Sequence, residues 1–236
     1  MAGKREALER AVVAVFVKEP REGRVKTRLG RSLGMEHACA LAWAFLEDVL
    51  AVARTAAEEA SAELWVVHAP DRPSERFRGW LEARAPSAQL VPQGAGSLGE
   101  RLARALGGTW GPRLALGGDA PDLAAARLLE AFAALAGREV VLGPTSDGGY
   151  HLVGLGAGVP ASFLGGGIRW SSPRTLEDTL AAAREAGLDT ELLAPHDDVD
   201  DLAGLRALAS RLRAGAHAPA SARWLAEHVS LWRSLP

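Results

Sequence analysis

Sulfur chemistry is nearly missing from this chain of 236 residues. Its one cysteine, Cys39, excludes a disulfide framework and a thiolate zinc cluster. Lying in an alanine-rich helical pattern, it reads as a packing residue. A clear excess of either charge is missing too. The 27 basic and 29 acidic side chains leave a formal net charge of -2, so no nucleic-acid partner is expected. Long apolar runs are also lacking. The run near the N-terminus, Ala11–Val17, is too short for a bilayer, and Lys18 and Glu19 stand where a leader would be cleaved. No membrane span is expected, and cytoplasmic residence is the default. The six histidines are scattered without zinc spacing, and H-E-x-x-H does not occur.

What is present is a regular alternation of patterns. Val12–Val17, Glu63–His68, Leu114–Leu116, Glu139–Leu142 and His151–Leu155 read as strands, with shorter ones at Gln89–Val91 and Glu191–Leu193. Helical spacing fills Gly34–Ala60, Ser74–Ala85, Ala124–Ala136, Pro173–Ala186 and Asp201–Ser210, and another helix runs from Ser97 to Gly107. The basic stretch after Val17 reads as a loop, and Gly156–Trp170 as a long loop with a turn at Phe163. This alternation predicts an α/β fold with a layered, mostly parallel sheet whose regularity breaks after Leu142. Residues 1–212 are expected to form one domain. Residues 213–236 read as a linker and a C-terminal amphipathic helix, anchored by Trp224, Leu225, Val229 and Trp232, packed on that domain or at a dimer contact.

Four segments carry groups suited to chemistry. Lys18, Arg21, Arg24, Lys26 and Arg28 crowd the loop after the first strand. Arginine forks and backbone N–H groups at Gly23 there suit a di- or triphosphate; a solvated basic loop explains the same charges. The loop has neither Walker A nor G-x-G-x-x-G spacing. Strand Leu114–Leu116 runs into Gly117, Gly118 and Asp119, the strand end at which open α/β sheets bind ligands. Asp119 suits a metal or a ribose, and the glycine pair lets a nucleotide approach closely. Asp122 reads as a helix cap. In GPTSDGGYH, residues 143–151, the glycines after Asp147 predict a turn that throws the acid into a cleft, with Thr145, Ser146 and Tyr150 suited to an acceptor. A plain hairpin turn is the alternative.

In HDDVDD, residues 196–201, Asp198 and Asp200 alternate with strand period and would face one side. Held together they repel unless a cation lies between them; Asp201 suits a cap. QGAGSLGER, residues 93–101, offers Ser97 as a cap and Glu100 and Arg101 as cleft residues. Trp65 and Trp170 read as packing residues.

FVKEPREGRVKTRL, QGAGSLGER, GGDAPDL, GPTSDGGYHLVGL, WSSP and DDVDDL follow one another over roughly residues 12–208. This ordered set resembles the bacterial family filed as domain of unknown function 2064, described as GT-A-like glycosyltransferases or nucleotidyltransferases. More distantly it is similar to molybdenum-cofactor guanylyltransferases and phospholactate guanylyltransferases. The resemblance implies a three-layer α/β/α sandwich of the nucleotide-diphospho-sugar transferase (GT-A) type, with a mixed sheet. Lys18, Lys26 and Arg28 match the family's basic loop, and Asp119 with Pro121 matches its G-x-D-x-P, whose acid carries the metal. Asp147, Gly148, Gly149 and Tyr150 match D-G-G-Y, and Asp198 with Asp200 the late D-x-D. Two positions depart from the pattern. Gly118 stands where a small hydroxyl residue is common, and His151 where an aromatic or apolar residue is usual; the second bears on acceptor preference.

Together these readings predict a transferase dependent on Mg²⁺ (or Mn²⁺). It would move a nucleotidyl or glycosyl group from a nucleotide or nucleotide-sugar to a small acceptor. Asp119, Asp198 and Asp200 are the expected metal ligands. Lys18, Arg24, Lys26, Arg28, Gly117, Gly118, Glu100, Arg101 and Tyr150 are the expected nucleotide contacts, and Asp119, Lys26 and Asp147 the catalytic candidates. The alternative is a nucleotide-binding or regulatory protein that keeps the fold without turnover. A monomer or a homodimer is expected.

Overall fold

The computed structural model describes residues 10–108 and 110–235, so the first nine residues of the expected 1–212 domain and the final residue of the tail lie outside the described residues. One sheet holds β1 (Val12–Lys18), β2 (Glu63–Ala69), β3 (Gln89–Pro92), β4 (Arg113–Gly117), β5 (Val140–Pro144), β6 (Tyr150–Leu155) and β7 (Thr190–Leu192). Their spatial order is β3-β2-β1-β4-β6-β5-β7. β1 lies parallel to β2 and β4, β2 to β3, and β5 to β7; β6 alone runs against its neighbours β4 and β5. The predicted break after Leu142 is therefore the reversal of a single strand.

The VVAVFV run of β1 is apolar on both faces because both are covered, as in central parallel strands. Val13, Val15 and Val17 pack under α2 (Met35–Glu59), α3 (Glu75–Arg84) and α5 (Ala125–Ala134). Val12 and Ala14 face α4 (Leu98–Gly107), the 3-10 turn Ala161–Gly165 and α6 (Thr175–Glu185). The result is the expected α/β/α sandwich. Helix starts follow local chemistry: Ser74, Ser97 and Asp201 accept from backbone N–H groups to cap α3, α4 and α7 (Leu202–Arg213). α5 has no side-chain cap, which corrects the reading of Asp122 as one.

Two further corrections concern helices. α1 (Thr27–Leu33) occupies part of the stretch read as a loop. Its apolar Leu29 and Leu33 are buried in a third cluster with Phe45, Leu205 and Trp224, a tertiary gain that overrides a short, basic sequence. The C-terminal segment is two helices, α8 (Pro219–Glu227) and α9 (Val229–Arg233), broken at His228. α8 begins inside the expected linker because Asp48 of α2 caps it from outside. The buried Asp48 carboxylate accepts from Ala220 N at 2.9 Å, Ser221 N at 2.8 Å and the Ser221 hydroxyl at 2.5 Å. Proline near the start of α8 costs it no hydrogen bond.

Arg113, at the start of β4, is also buried. It donates to the carbonyls of Leu106 at 2.7 Å, Gly111 at 3.1 Å, Gly156 at 2.9 Å and Val159. Burial pulls its pKa down to about 10, so it remains a cation at neutral pH. Among the described residues no helix is long and apolar enough to cross a membrane.

Candidate active site

β1 has β2 on one side and, through a later crossover, β4 on the other. The C-terminal ends of β1 and β4 thus form a switch point, where an open sheet leaves a crevice. Two adjoining lobes open there. The first, of about 410 Å³, is lined by Lys18, Arg24, Lys26, Gly117, Gly118 and Asp119 among others. The second, of about 630 Å³, is lined by Arg28, Asp147, Tyr150, His151, Trp170 and Asp198 among others. Phe16, Leu98, Gly117 and Asp200 border both lobes.

Lys26 stands among the acids that flank this border. Its backbone is left-handed, φ 45° and ψ 42°, an uncommon state for a residue with a Cβ. Its ammonium lies 2.6 Å from Asp119 Oδ1 and 3.0 Å from Asp200 Oδ1, and donates to Val199 O at 2.7 Å. Three acceptors thus face its three N–H donors. The Lys26 side chain is 4% exposed, whereas those of Asp119 and Asp200 are half-exposed. Burial alone would pull the lysine pKa down, but the charges of Asp119 and Asp200 raise it above its ordinary value. Burial, reinforced by the charge of Asp119, pushes the Asp198 carboxyl up to about 7.

The expected metal set is therefore present but not closed. Among the described residues no three His, Cys, Asp or Glu side chains are gathered closely enough to hold a metal, and the Lys26 ammonium occupies the space between Asp119 and Asp200. Strand alternation is not what brings Asp198 and Asp200 to the cleft, because residues 193–200 form no strand. That segment is clasped instead to the strand ends. His196 N donates to Pro144 O at 3.0 Å, Val199 N to Asp119 O at 2.9 Å, and Ser146 N to Asp197 Oδ1 at 2.7 Å.

The remaining expected residues divide. Lys18 reaches the first lobe while donating to Arg24 O at 2.8 Å, so it also braces its own loop. Arg21 pairs with Glu19 at 2.9 Å and lines neither lobe. Glu100 and Arg101 likewise line neither lobe. Glu100 closes a capping box with Ser97, and Arg101 donates to Gly96 O at 2.9 Å and Gln93 Oε1 at 3.2 Å. Those bonds consume the polar groups that were expected to face the cleft. Asp147 satisfies both of its readings: Oδ1 accepts from the Thr145 hydroxyl at 2.6 Å and Gly149 N at 3.1 Å, closing a turn at the rim of the second lobe. Tyr150 lines the same lobe, and burial raises its phenol pKa well above the ordinary value. Trp170 packs edge-on to Tyr150 at 6.1 Å, and in addition to the expected packing it forms lobe wall.

Asp122 was legible only as a cap, yet it is the centre of a buried network. It accepts from Arg211 through both oxygens and lies 3.2 Å from His196 Nε2. Burial pushes its carboxyl up, but the hydrogen bonds and charges of Arg211 and His196 outweigh this and hold it well below the usual carboxylate range. No local signal reveals this, because the partners are 89 and 74 positions away.

A family profile described as "Uncharacterized protein conserved in bacteria (DUF2064)" matches residues 51–172, just over half of the chain. The chain belongs to that family. No curated protein matches this DUF2064 member in sequence. Among solved structures it is similar to a candidate nucleotide-diphospho-sugar transferase from Desulfovibrio desulfuricans G20. The two are 26% identical, with a TM-score of 0.82, over 95% of this chain and 97% of the other. It is also similar to CMP:2-keto-3-deoxy-manno-octonic acid synthetase complexed with CTP, at 13% identity and a TM-score of 0.56, over 87% and 99% of the two chains. A 4-diphosphocytidyl-2C-methyl-D-erythritol synthase from Anaerococcus prevotii DSM 20548 follows at 10% identity and 0.58, over 87% and 99%. The last two likenesses establish the fold alone. The DUF2064 chain thus has the nucleotide-diphospho-sugar transferase fold.

Proposed function

We propose that the first lobe binds the phosphates of a nucleotide or nucleotide-sugar and that a nucleotidyl or glycosyl group passes to a small acceptor in the second lobe. One observation carries the reading: cations and paired glycines line one lobe, and Asp119, Asp198 and Asp200 flank the border with the other. Lys18 and Arg24 offset phosphate charge, and Gly117 and Gly118 let the backbone approach. The likeness to a candidate nucleotide-diphospho-sugar transferase supports the same reading.

A divalent cation fits this donor set in charge and in kind. Two hard carboxylates hold one ammonium and a third, Asp198, feels the charges of all three groups, which suits Mg²⁺ or Mn²⁺. Asp119, Asp198 and Asp200 would hold the ion, with Lys26 sharing two of them; when bound it would offset charge on the transferring group. Asp147 orients the acceptor, its Oδ1 fixed by Thr145 and Gly149 at the rim of the second lobe. In nucleotidyl transfer the acceptor oxygen attacks the α-phosphorus and pyrophosphate leaves. In glycosyl transfer it attacks the anomeric carbon and a nucleoside diphosphate leaves.

Calorimetric titration of the wild type and Asp119→Asn with GTP, CTP, UTP, ATP and UDP-sugars, with and without Mg²⁺, tests this. Loss of magnesium-dependent binding in the variant is expected; unchanged magnesium-dependent binding overturns the assignment. A second reading, nucleotide binding without turnover, has one observation in its favour. Lys26 already neutralises the acids that a catalytic metal would need. Sustained release of pyrophosphate or nucleoside diphosphate from a metabolite mixture excludes it.

A further inference from the structure

Lys26 lines the cation-rich first lobe and also holds two of the acids at its border. Lys18 and Arg24 share the lobe but, among the described residues, pair with neither acid. The Lys26 ammonium has no spare donor. Its N–H groups go to Asp119 Oδ1, Asp200 Oδ1 and Val199 O, so in this arrangement it has nothing to offer a phosphate.

A divalent cation on Asp119, Asp198 and Asp200 would have to share two of its ligands with that ammonium. Positive charges at such range repel, and more strongly where little water separates them. The lysine side chain is 4% exposed, so solvent does little to relieve it where it stands.

Its backbone is not free to withdraw. Lys26 precedes the first turn of α1, accepts from Gly30 N at 2.8 Å, and is tied to a helix whose Leu29 and Leu33 are buried. What can move is the four-carbon side chain, and the space before it is the lobe it already lines. With no anion in that lobe, the move would set a third cation beside Lys18 and Arg24. With phosphate there, the ammonium trades one set of oxygens for another.

We infer that Lys26 exchanges carboxylate partners for phosphate when a divalent cation and a nucleotide bind together, so that each ligand favours the other through this one side chain. This rests on the transferase reading, in which the first lobe takes the phosphates and the acids take the ion. The ion alone is opposed by the lysine, and phosphate alone does not gain it. Only the pair satisfies all the charges, which makes Lys26 a coupling between two sites rather than a contact belonging to either.

Mn²⁺ titrations of the full chain, followed by the electron paramagnetic resonance of the free ion, test it. They are run alone and with UMP, CMP, GMP, AMP or inorganic phosphate, anions that chelate the ion only weakly in solution. In the wild type at least one of these anions is expected to tighten Mn²⁺ binding by about tenfold. Linkage requires Mn²⁺ to tighten that anion by the same factor, which calorimetry in the reverse direction reads. To Lys26→Met, Mn²⁺ alone is expected to bind about tenfold more tightly than to the wild type. The enhancement by the anion shrinks there to the part that direct contact between ion and phosphate supplies. Lys18 and Arg24 remain, so the anion itself still binds. A general loosening of the fold would instead weaken Mn²⁺ binding. Equal enhancement in the two proteins, or Mn²⁺ alone binding the variant no more tightly, overturns the inference. Should Lys26→Met fail to fold, Lys26→Gln, which keeps a polar head without the charge, takes its place. A wild type that binds Mn²⁺ and the anions with no enhancement overturns the exchange and leaves the transferase reading standing. A wild type that binds neither sinks both.

Discussion

Lys26 combines two unfavourable states, a left-handed backbone and a buried ammonium, and neither persists unless its surroundings impose it. The surroundings here are acids that repel one another, so the lysine acts as a tethered counter-ion. Lys26→Met removes it. Because Asp119 and Asp200 are half-exposed and partly screened by solvent, the cost without metal is expected to be modest, ~1–2 kcal/mol. Mg²⁺ affinity is expected to rise by about tenfold, since three acids then lack a positive neighbour. Thermal melting across a Mg²⁺ series checks both: the variant should start lower and gain more from the ion. A variant indifferent to Mg²⁺ would show that the acids do not form a cation seat. Charge, spacing and the family resemblance singled out Lys26, Asp119, Asp198 and Asp200 in the sequence, and the structure gathers them at one crevice. The sequence could not show that the lysine is spent on the acids, because Asp200 is 174 positions away. The tie joining Asp122 to Arg211 and His196 was hidden for the same reason.

Among the elements, the β5–β6 turn is tightly coupled to its surroundings. Gly148 sits at φ +86°, and a Cβ there would lie 2.1 Å from the carbonyl oxygen of Pro173. Its own carbonyl accepts from Leu176 N at 2.9 Å, at the start of α6. Gly148→Ala therefore has to part the turn from the 171–173 loop, two sides of the second lobe. A loss of ~2–3 kcal/mol is expected from the left-handed backbone and the lost contact together, seen as a drop of several degrees in melting temperature. A variant that melts with the wild type would show that the contact is not rigid. Strands were legible as β-branched or apolar runs bounded by charge, proline or glycine, and the starts of helices with serine or aspartate caps were placed to within a residue. The exceptions lacked such signals. α1 is seven residues with three basic groups around it, and α8 takes its cap from Asp48 on another helix.

For the molecule as a whole, Asp122 is a fastening between the sheet's active edge and the C-terminal helices, since Arg211 lies on α7 and His196 on the clasped segment. Its carboxyl is held below the ordinary 3.8, so the stability it confers is present above that value and is lost as pH falls through the lower, folded one. Asp122→Asn is expected to lose about 3 kcal/mol at pH 7, as for other buried pairs broken on one side. The gap to the wild type should narrow below about pH 4, where the unfolded wild-type chain also binds the proton. Urea unfolding of both proteins at pH 7 and pH 3 measures this, and a constant gap would place the effect in packing rather than charge. The layered fold was legible at this scale because alternation of apolar runs dictates it; the place of each strand was not, because nothing local records which edge a crossover chooses. One such placement has a consequence for descent. β6 runs against its neighbours, so it begins at the edge where they end, and Thr145 through Val153 contribute a wall of the second lobe from nearly contiguous sequence. Phe16 through Lys26 contribute likewise to the first lobe, and both lobes are completed by segments as distant as Asp200. Under the proposed transferase reading, a short recombination spanning Thr145 to Val153 would replace much of one lobe's wall while leaving the Phe16–Lys26 block of the other intact, so the preferences of the two lobes can diverge separately.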